Sequence, residues 1–511
     1  MKKLTIIDTK KSHTKEIEQF NKLKNSKDDI RKYQIEAYNS ITNTLLNDDK
    51  REAGLLVLPT GGGKTRVAVS WAIDKAINSG YKVLWIAHRH MLLEQAYETF
   101  IKFGGLCEIK DSLQIRIVSG KHRHSNIEEI NFKKDDIVVA SISTMKKELE
   151  EKFKRVQKLL VIVDEAHHST APIYKQWIGL VGNKNKFGWF RANHFNKLKI
   201  LGLTATPINV NSKKEEELKA IFDNQEALYK ISTSELIKLG ILSQPILNSI
   251  STKVVIDADD VDGNTEKQIE DSINKQLAEN ADRNHFIVET YKEQYKDSGK
   301  TLIFAVNIDH AEMLQGFFKN DGFNCEVIHS TKKYTEEEGY TEKTNNDDVL
   351  NKFRDKDSKL DILINVGILT EGSDIPNIQN VFITRIVGSE TLYTQMIGRA
   401  LRGVHSGGTK YANIITFEDN IKNFDILSLK DLLIDNGWQD EEIQEKSLKG
   451  IKVWNDRKYS IDEIQAILLK KEEELDNAGA VKGIFKYKIL SYESIQNKDL
   501  QERIDKEKEC G

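Results

Sequence analysis

The sequence predicts an α/β protein made of two tandem parallel-sheet domains followed by a small, mainly helical appendage. Three observations carry that reading. Two series of short β-branched runs follow one another, amphipathic stretches separate the runs, and the pattern changes near the C-terminus. A short apolar strand and an amphipathic helix each have a face to hide. Repeating the pair builds a parallel sheet with helices on both sides.

The first series is expected at Gly54–Leu58, Lys82–Ala87, Ile115–Val118, Asp136–Ala140, Leu159–Val163 and Lys199–Leu203. The second is expected at Lys300–Ala305, Cys325–His329, Asp361–Asn365, Val381–Ile386 and Ala412–Phe417. Near the end, Ser460 and Glu463 have capping-box spacing, with Ile464, Ile467 and Leu468 at helical spacing behind them. There are only five prolines, and no Pro-rich or Gly/Ser-rich linker marks a boundary. Pattern alone therefore gives an N-terminal extension over 1–29, a first domain over 30–232, a second over 233–425, and the appendage with its tail over 426–511.

Composition bounds the function. The chain has 511 residues, 39% apolar and 30% charged, which is neither a disordered nor a membrane composition. Its apolar runs fall far short of the ~20 residues that span a bilayer. The opening Met1-Lys2-Lys3-Leu4 leads into no long apolar segment, so no secretory signal is expected. Cys107, Cys325 and Cys510 lie far apart, which argues against a disulfide framework or a cysteine zinc site and for a reducing cytoplasm. Lysines and arginines (76) nearly balance acids (79), giving a net charge of −3. That balance leaves a nucleic-acid partner open, because binding needs a local basic groove and not a basic protein.

The motifs carry the chemistry. An apolar strand ending at Leu58 is followed by Pro59-Thr60-Gly61-Gly62-Gly63-Lys64-Thr65 and then a helical pattern. Successive glycines let backbone amides turn toward phosphate oxygens, and the helix N-terminus faces the negative charge. Lys64 would reach the β/γ-phosphates of a nucleotide, and the Thr65 hydroxyl would bind magnesium. The phosphate-loop rule expects glycine where Leu58 stands, and the alternative is a Gly-rich turn that binds nothing. Further on, Leu159–Val163 delivers Asp164-Glu165-Ala166-His167 at a strand end. Asp164 would hold magnesium and Glu165 would orient and deprotonate the attacking water. Read alone, the pair is equally an acidic turn.

Together with Thr204-Ala205-Thr206-Pro207 and Gln395-Met396-Ile397-Gly398-Arg399-Ala400-Leu401-Arg402, these motifs resemble a superfamily 2 helicase of the DEAH-box type. More narrowly, the chain resembles the helicase subunits of type III restriction enzymes and RadD-like repair helicases, over about 31–417. The resemblance implies two RecA-like domains, ATP and Mg2+ as cofactors, and hydrolysis coupled to movement along nucleic acid. It implies DNA ahead of RNA as the partner, and a nuclease or defence-complex protein as a further partner through the C-terminal region. RNA unwinding remains an alternative.

Residue roles follow from the same resemblance. Arg31-Lys32-Tyr33-Gln34 is similar to the adenine-reading element, with Gln34 as the selectivity residue and Arg31 beside it. Arg89, Thr144 and Thr370 are similar to strand-gripping residues, and His310 falls in a comparable grip loop of the second domain. Gly372 and Asp374 lie in the segment that touches the nucleotide, while His167, Thr204 and Thr206 correspond to the coupling positions. Arg399 and Arg402 match arginines that reach the γ-phosphate, acting as catalytic groups with Lys64, Asp164 and Glu165. The cysteine zinc module of RadD-like members has no counterpart here. Outside these motifs, Asn183–Arg191 interleaves basic and aromatic residues, which suits base stacking or a surface loop.

Overall fold

The computed structural model describes residues 3–8, 13–18, 31–48, 51–119, 124–181, 186–192, 195–205, 213–223, 226–329, 346–355, 357–367, 369, 375, 378–388, 390–424 and 444–445. These fall into two compact units, one reaching Leu242 and the other starting at Ser243.

The first unit contains β1 (Lys3–Asp8), β2 (His13–Glu18), β3 (Ala53–Val57), β4 (Lys82–Ala87), β5 (Ser112–Val118), β6 (Ile137–Ser141) and β7 (Lys158–Val163). It continues with a small antiparallel pair, β8 (Leu180–Val181) and β9 (Lys186–Phe187), then β10 (Lys197–Thr204) and β11 (Tyr229–Lys230). Apart from that pair, the strands form one sheet in the order β11-β3-β10-β7-β4-β6-β5-β1-β2. Neighbours run parallel, except that β2 turns back antiparallel on β1. The N-terminal extension thus contributes the last two strands at one end of the sheet, with β2 at its edge.

Central strands read as unbroken apolar runs because both faces of the sheet are covered. In β7, Leu159, Val161 and Val163 join a core with Phe153, Trp177 and Phe190, while Leu160 and Ile162 alternate to the other side. On β4, Trp85 meets Phe100 of the helix His90–Phe103 edge to face, with ring centroids 5.6 Å apart. Lys199 is buried at the amino end of β10 because its ammonium donates to the carbonyls of Asp48 (2.7 Å) and Arg51 (2.6 Å).

The second unit contains β12 (Gln244–Asp257), β13 (Lys300–Phe304), β14 (Cys325–His329), β15 (Ile362–Val366), β16 (Ile378–Ile383), β17 (Tyr411–Lys422) and β18 (Gln444–Glu445). All seven pair in parallel, in the order β14-β15-β13-β16-β17-β12-β18. Ile303, Ile364, Phe382 and Ile415 face Tyr291, Phe317 and Phe318 of flanking helices. Two helical α/β units are what the sequence predicted. Apart from β18, the appendage over 426–511 lies outside the described residues.

Candidate active site

Parallel pairing brings sequence-distant motifs to one edge of the first sheet. Strands β3, β10, β7, β4 and β6 are successive neighbours and all end on the same side. The glycine loop follows β3, Thr204 closes β10, Asp164 follows β7, Arg89 follows β4 and Thr144 follows β6. The carboxyl edge of an open parallel sheet is where such folds bind ligands.

The loop is shaped by its glycines and held from behind. Gly61 and Gly63 take left-handed φ values of 86° and 85°, which side chains resist. Gly63 caps the helix Lys64–Trp71, and the Gly62 amide donates to the Pro59 carbonyl at 2.9 Å. Two donors converge on the Gly62 carbonyl: the Tyr33 hydroxyl at 2.7 Å and the Gln34 amide at 3.3 Å. The Gln34 carbonyl oxygen accepts from the Arg31 backbone amide at 3.2 Å. Lys64 is buried and its ammonium donates to the Leu58 carbonyl at 3.3 Å, so its charge stays over the loop. Leu58 itself remains in the core, its amide donating to Thr204 at 3.1 Å. That inward position explains an apolar residue where a phosphate loop ordinarily has glycine.

At the end of β7, Asp164 and Glu165 are both buried. The Asp164 carboxylate accepts the Glu165 amide at 3.0 Å. Glu165 sits at φ 48°, ψ 58°, a conformation unusual for a side-chain-bearing residue. Its Oε2 is buried, makes no hydrogen bond among the described residues, and lies 3.5 Å from His167 Nδ1. A buried carboxylate oxygen held in reserve on a strained backbone suits a group that meets its partner in a complex. The left-handed Gly63, whose Cβ would strike Gln34, likewise fits a loop closing on phosphate. The residues present therefore fit a nucleotide with magnesium: Lys64 and the loop for phosphates, Thr65 and Asp164 for the metal.

Other predicted residues fall as follows. Arg89 is half-exposed just before the helix His90–Phe103, and Thr144 donates its hydroxyl to the Ser141 carbonyl at 2.7 Å. Thr206, Thr370, Gly372 and Asp374 lie outside the described residues. Arg399 lies in the helix Glu390–Ala400, its side chain also outside them. Arg402 is half-buried past that helix, its carbonyl accepting from Ser243 Oγ (2.6 Å) and the Thr409 amide (2.9 Å).

Two expectations change. His310 is not a grip residue: it is 1% exposed, accepting from the Val306 amide at 3.2 Å and bonding Asn284 Oδ1 through Nε2 at 2.9 Å. Trp189 and Phe190 are not presented for stacking on bases. They turn inward onto Phe153, Trp177 and Phe195, with ring centroids 5.2–6.4 Å apart. Their neighbour Arg191 donates to the Ile221 carbonyl and pairs with Asp223.

Tandem parallel sheets, a lysine-bearing glycine loop and an Asp-Glu pair on the same edge define a tandem α/β fold with a candidate phosphate-binding edge on its first sheet. Comparison with known proteins agrees. Residues 27–209 match the family described as type III restriction enzyme, res subunit, and residues 282–404 match the helicase conserved C-terminal domain. Putative ATP-dependent helicase IRC3 of Saccharomyces cerevisiae is 30% identical over 398 residues, covering 76% of this chain and 51% of that protein. The chain thus spans about half the length of this curated relative. Two solved structures share the fold. Type ISP restriction-modification enzyme LlaBIII bound to DNA has TM-score 0.51 and 18% identity, covering 77% of this chain and 28% of that one. S. cerevisiae Dbp5 bound to RNA and ADP BeF3 has TM-score 0.51 and 15% identity, covering 81% and 89%. The two units thus carry, in chain order, a match to a restriction-enzyme res subunit and a match to a helicase C-terminal domain.

Proposed function

We propose that the protein hydrolyses ATP and uses the cycle to move along or separate strands of nucleic acid, with DNA ahead of RNA. The observation that supports this most is the loop–carboxylate pairing: buried Lys64 on a glycine loop and a buried, reserve carboxylate at Glu165 share one sheet edge. Gln34, joined to the loop through Gly62, is suited to report on the adenine edge. Bound magnesium, held by Thr65 and Asp164, would supply positive charge against the β/γ-phosphates. Lys64 orients the γ-phosphate, and Glu165 takes the proton of the attacking water. By the family resemblance, Arg399 and Arg402 are assigned the role of stabilising charge on the phosphoryl group being transferred. If both units hold the same strand, ATP that favours one arrangement of them and loses that preference on hydrolysis drives movement.

Grip through the backbone, from Arg89 and Thr144, makes that movement sequence-tolerant and salt-sensitive. DNA is favoured because the family matched over 27–209 is a restriction-enzyme family. The deciding experiment is ATPase activity with single-stranded DNA, duplex DNA and RNA in parallel. Turnover stimulated most by DNA supports the proposal, and stimulation by RNA alone moves it to the RNA-helicase reading. A second reading, the motor subunit of a nuclease-containing restriction or defence complex, is favoured by the same family match. Pull-down with and without residues 430–511 tests it, because that reading expects partner recovery to fall with the segment.

A further inference from the structure

Three imidazoles form a continuous stack between the segment after β4 and the acid after β7. The ring of His88 lies 4.2 Å, centroid to centroid, from that of His168, tilted by 60°. The ring of His168 lies 4.2 Å from that of His167, tilted by 42°. His167 Nδ1 then stands 3.5 Å from Glu165 Oε2, beyond hydrogen-bond length, and that oxygen is buried with no hydrogen bond among the described residues. His88 adjoins Arg89, whose place in the fold suits a phosphate contact. All of these residues lie in the first unit.

We propose that His168 is a positioning residue that couples occupancy of the Arg89 segment to the placement of the Glu165 carboxylate, through the stacked rings of His88 and His167. The inference rests on the functional reading above and deepens it by naming how strand binding reaches the ATP site. Rings in van der Waals contact cannot shift independently, because a close-packed interior transmits displacement. His88 follows directly on β4 and His168 lies four residues past Asp164, so the stack joins two neighbouring strand ends. Movement of Arg89 onto a phosphate displaces His88, then His168 and His167. A shift of a few tenths of an ångström closes the 3.5 Å gap to a hydrogen bond on Oε2. Glu165 is thereby aimed only when a strand is held, which links hydrolysis to grip.

The test uses the full chain with poly(dT) and poly(U) as probes, and reads the ratio of stimulated to unstimulated ATP turnover. His168→Ala is expected to lower that ratio ~10-fold, in the range of measured couplings. His168→Phe, which keeps a ring in the stack, is expected to keep most of it. His88→Ala should act like His168→Ala, and the double variant should be no worse than either alone. The half-exposed His88 gives an independent variant should position 168 fail to fold. An unchanged ratio in His168→Ala, a Phe variant as impaired as Ala, or multiplying effects in the double variant would overturn the proposal. Wild-type protein that neither polymer stimulates would instead overturn the functional reading beneath it.

Discussion

The Gln34 side-chain amide lies 2.5 Å from where a β-carbon on residue 63 would stand, and donates to the neighbouring Gly62 carbonyl. The nucleotide loop and the helix Lys32–Ile41 are thus shaped against each other.

Gly63→Ala is therefore impaired twice. The left-handed backbone at φ 85° costs roughly 1–2 kcal/mol for a side-chain-bearing residue, and the methyl displaces Gln34. The expected outcome is an ATP affinity lowered about tenfold or more, measured by nucleotide titration. Gln34→Ala removes one of two donors on Gly62 and leaves the Tyr33 hydroxyl in place, so its loss of affinity should be smaller. Equal losses would show that the amide and not the backbone sets the loop.

Lys64→Ala removes the cation that the loop keeps buried. Turnover should fall ~100-fold or more, as for other groups that stabilise transition-state charge. The melting temperature should hold, because among the described residues the ammonium makes a single bond, of 3.3 Å to the Leu58 carbonyl. Steady-state ATPase beside a thermal melt checks both. Retained stimulated turnover would reject the phosphate-loop assignment.

The parts legible in the sequence were those whose signal is local. Lys82–Ala87 and Cys325–His329 emerged with their observed limits because each is a short run closed by a change of residue type. The strand Gln244–Asp257 was missed because exposed and buried positions alternate along its second half, diluting the apolar run. The antiparallel pair Lys3–Asp8 and His13–Glu18 depends on the pairing of its first strand with Ser112–Val118, a long-range contact that no window of sequence contains. At the site, Lys64, Asp164 and Glu165 were readable because their chemistry sits in consecutive residues. Tyr33 as the loop's anchor and the His88–His168 stack were not, because each acts through a partner far away in the chain. Trp189 and Phe190 show the converse limit: composition suggested exposure, and only packing against Phe153 and Trp177 turned them inward.

In the second unit, the Arg283 guanidinium makes three bonds of 2.8–3.1 Å to the Asp419 carboxylate and one of 3.0 Å to the Thr384 carbonyl. Both side chains are 1% exposed, so removing one strands a buried charge. Arg283→Ala should destabilise the protein by about 3–5 kcal/mol, whereas Arg283→Met with Asp419→Leu should lose far less. Denaturant unfolding followed by a probe in this unit measures the difference. Similar losses in both would mean packing, and not charge pairing, is what Arg283 contributes.

His310 supplies a pH dependence. Burial first, then the nearby Arg283 and Arg385 charges, push its pKa down from 6.5 to about 3. The folded state holds the ring neutral while the unfolded chain protonates it below about 6.5. Its stabilising contribution is complete above that value and is lost as pH falls toward about 3, at up to roughly 1.4 kcal/mol per pH unit. Stability of wild type and His310→Gln should therefore converge as pH is lowered through this window. Parallel curves would exclude His310 as the titrating group.

Glu165 separates stability from chemistry most sharply. Its left-handed backbone costs roughly 1 kcal/mol, and its buried Oε2 makes no hydrogen bond among the described residues. A residue kept for the fold would not carry both penalties. Glu165→Gly relieves both, so its melting temperature should hold or rise while ATP turnover falls ~100-fold or more. Glu165→Gln keeps the shape and removes the proton acceptor, so it should bind ATP normally and turn it over as poorly as the glycine variant. Melting curves, nucleotide titration and turnover on the same three proteins decide the matter. A glutamine variant that hydrolyses ATP at the wild-type rate would leave the strained carboxylate without a catalytic role.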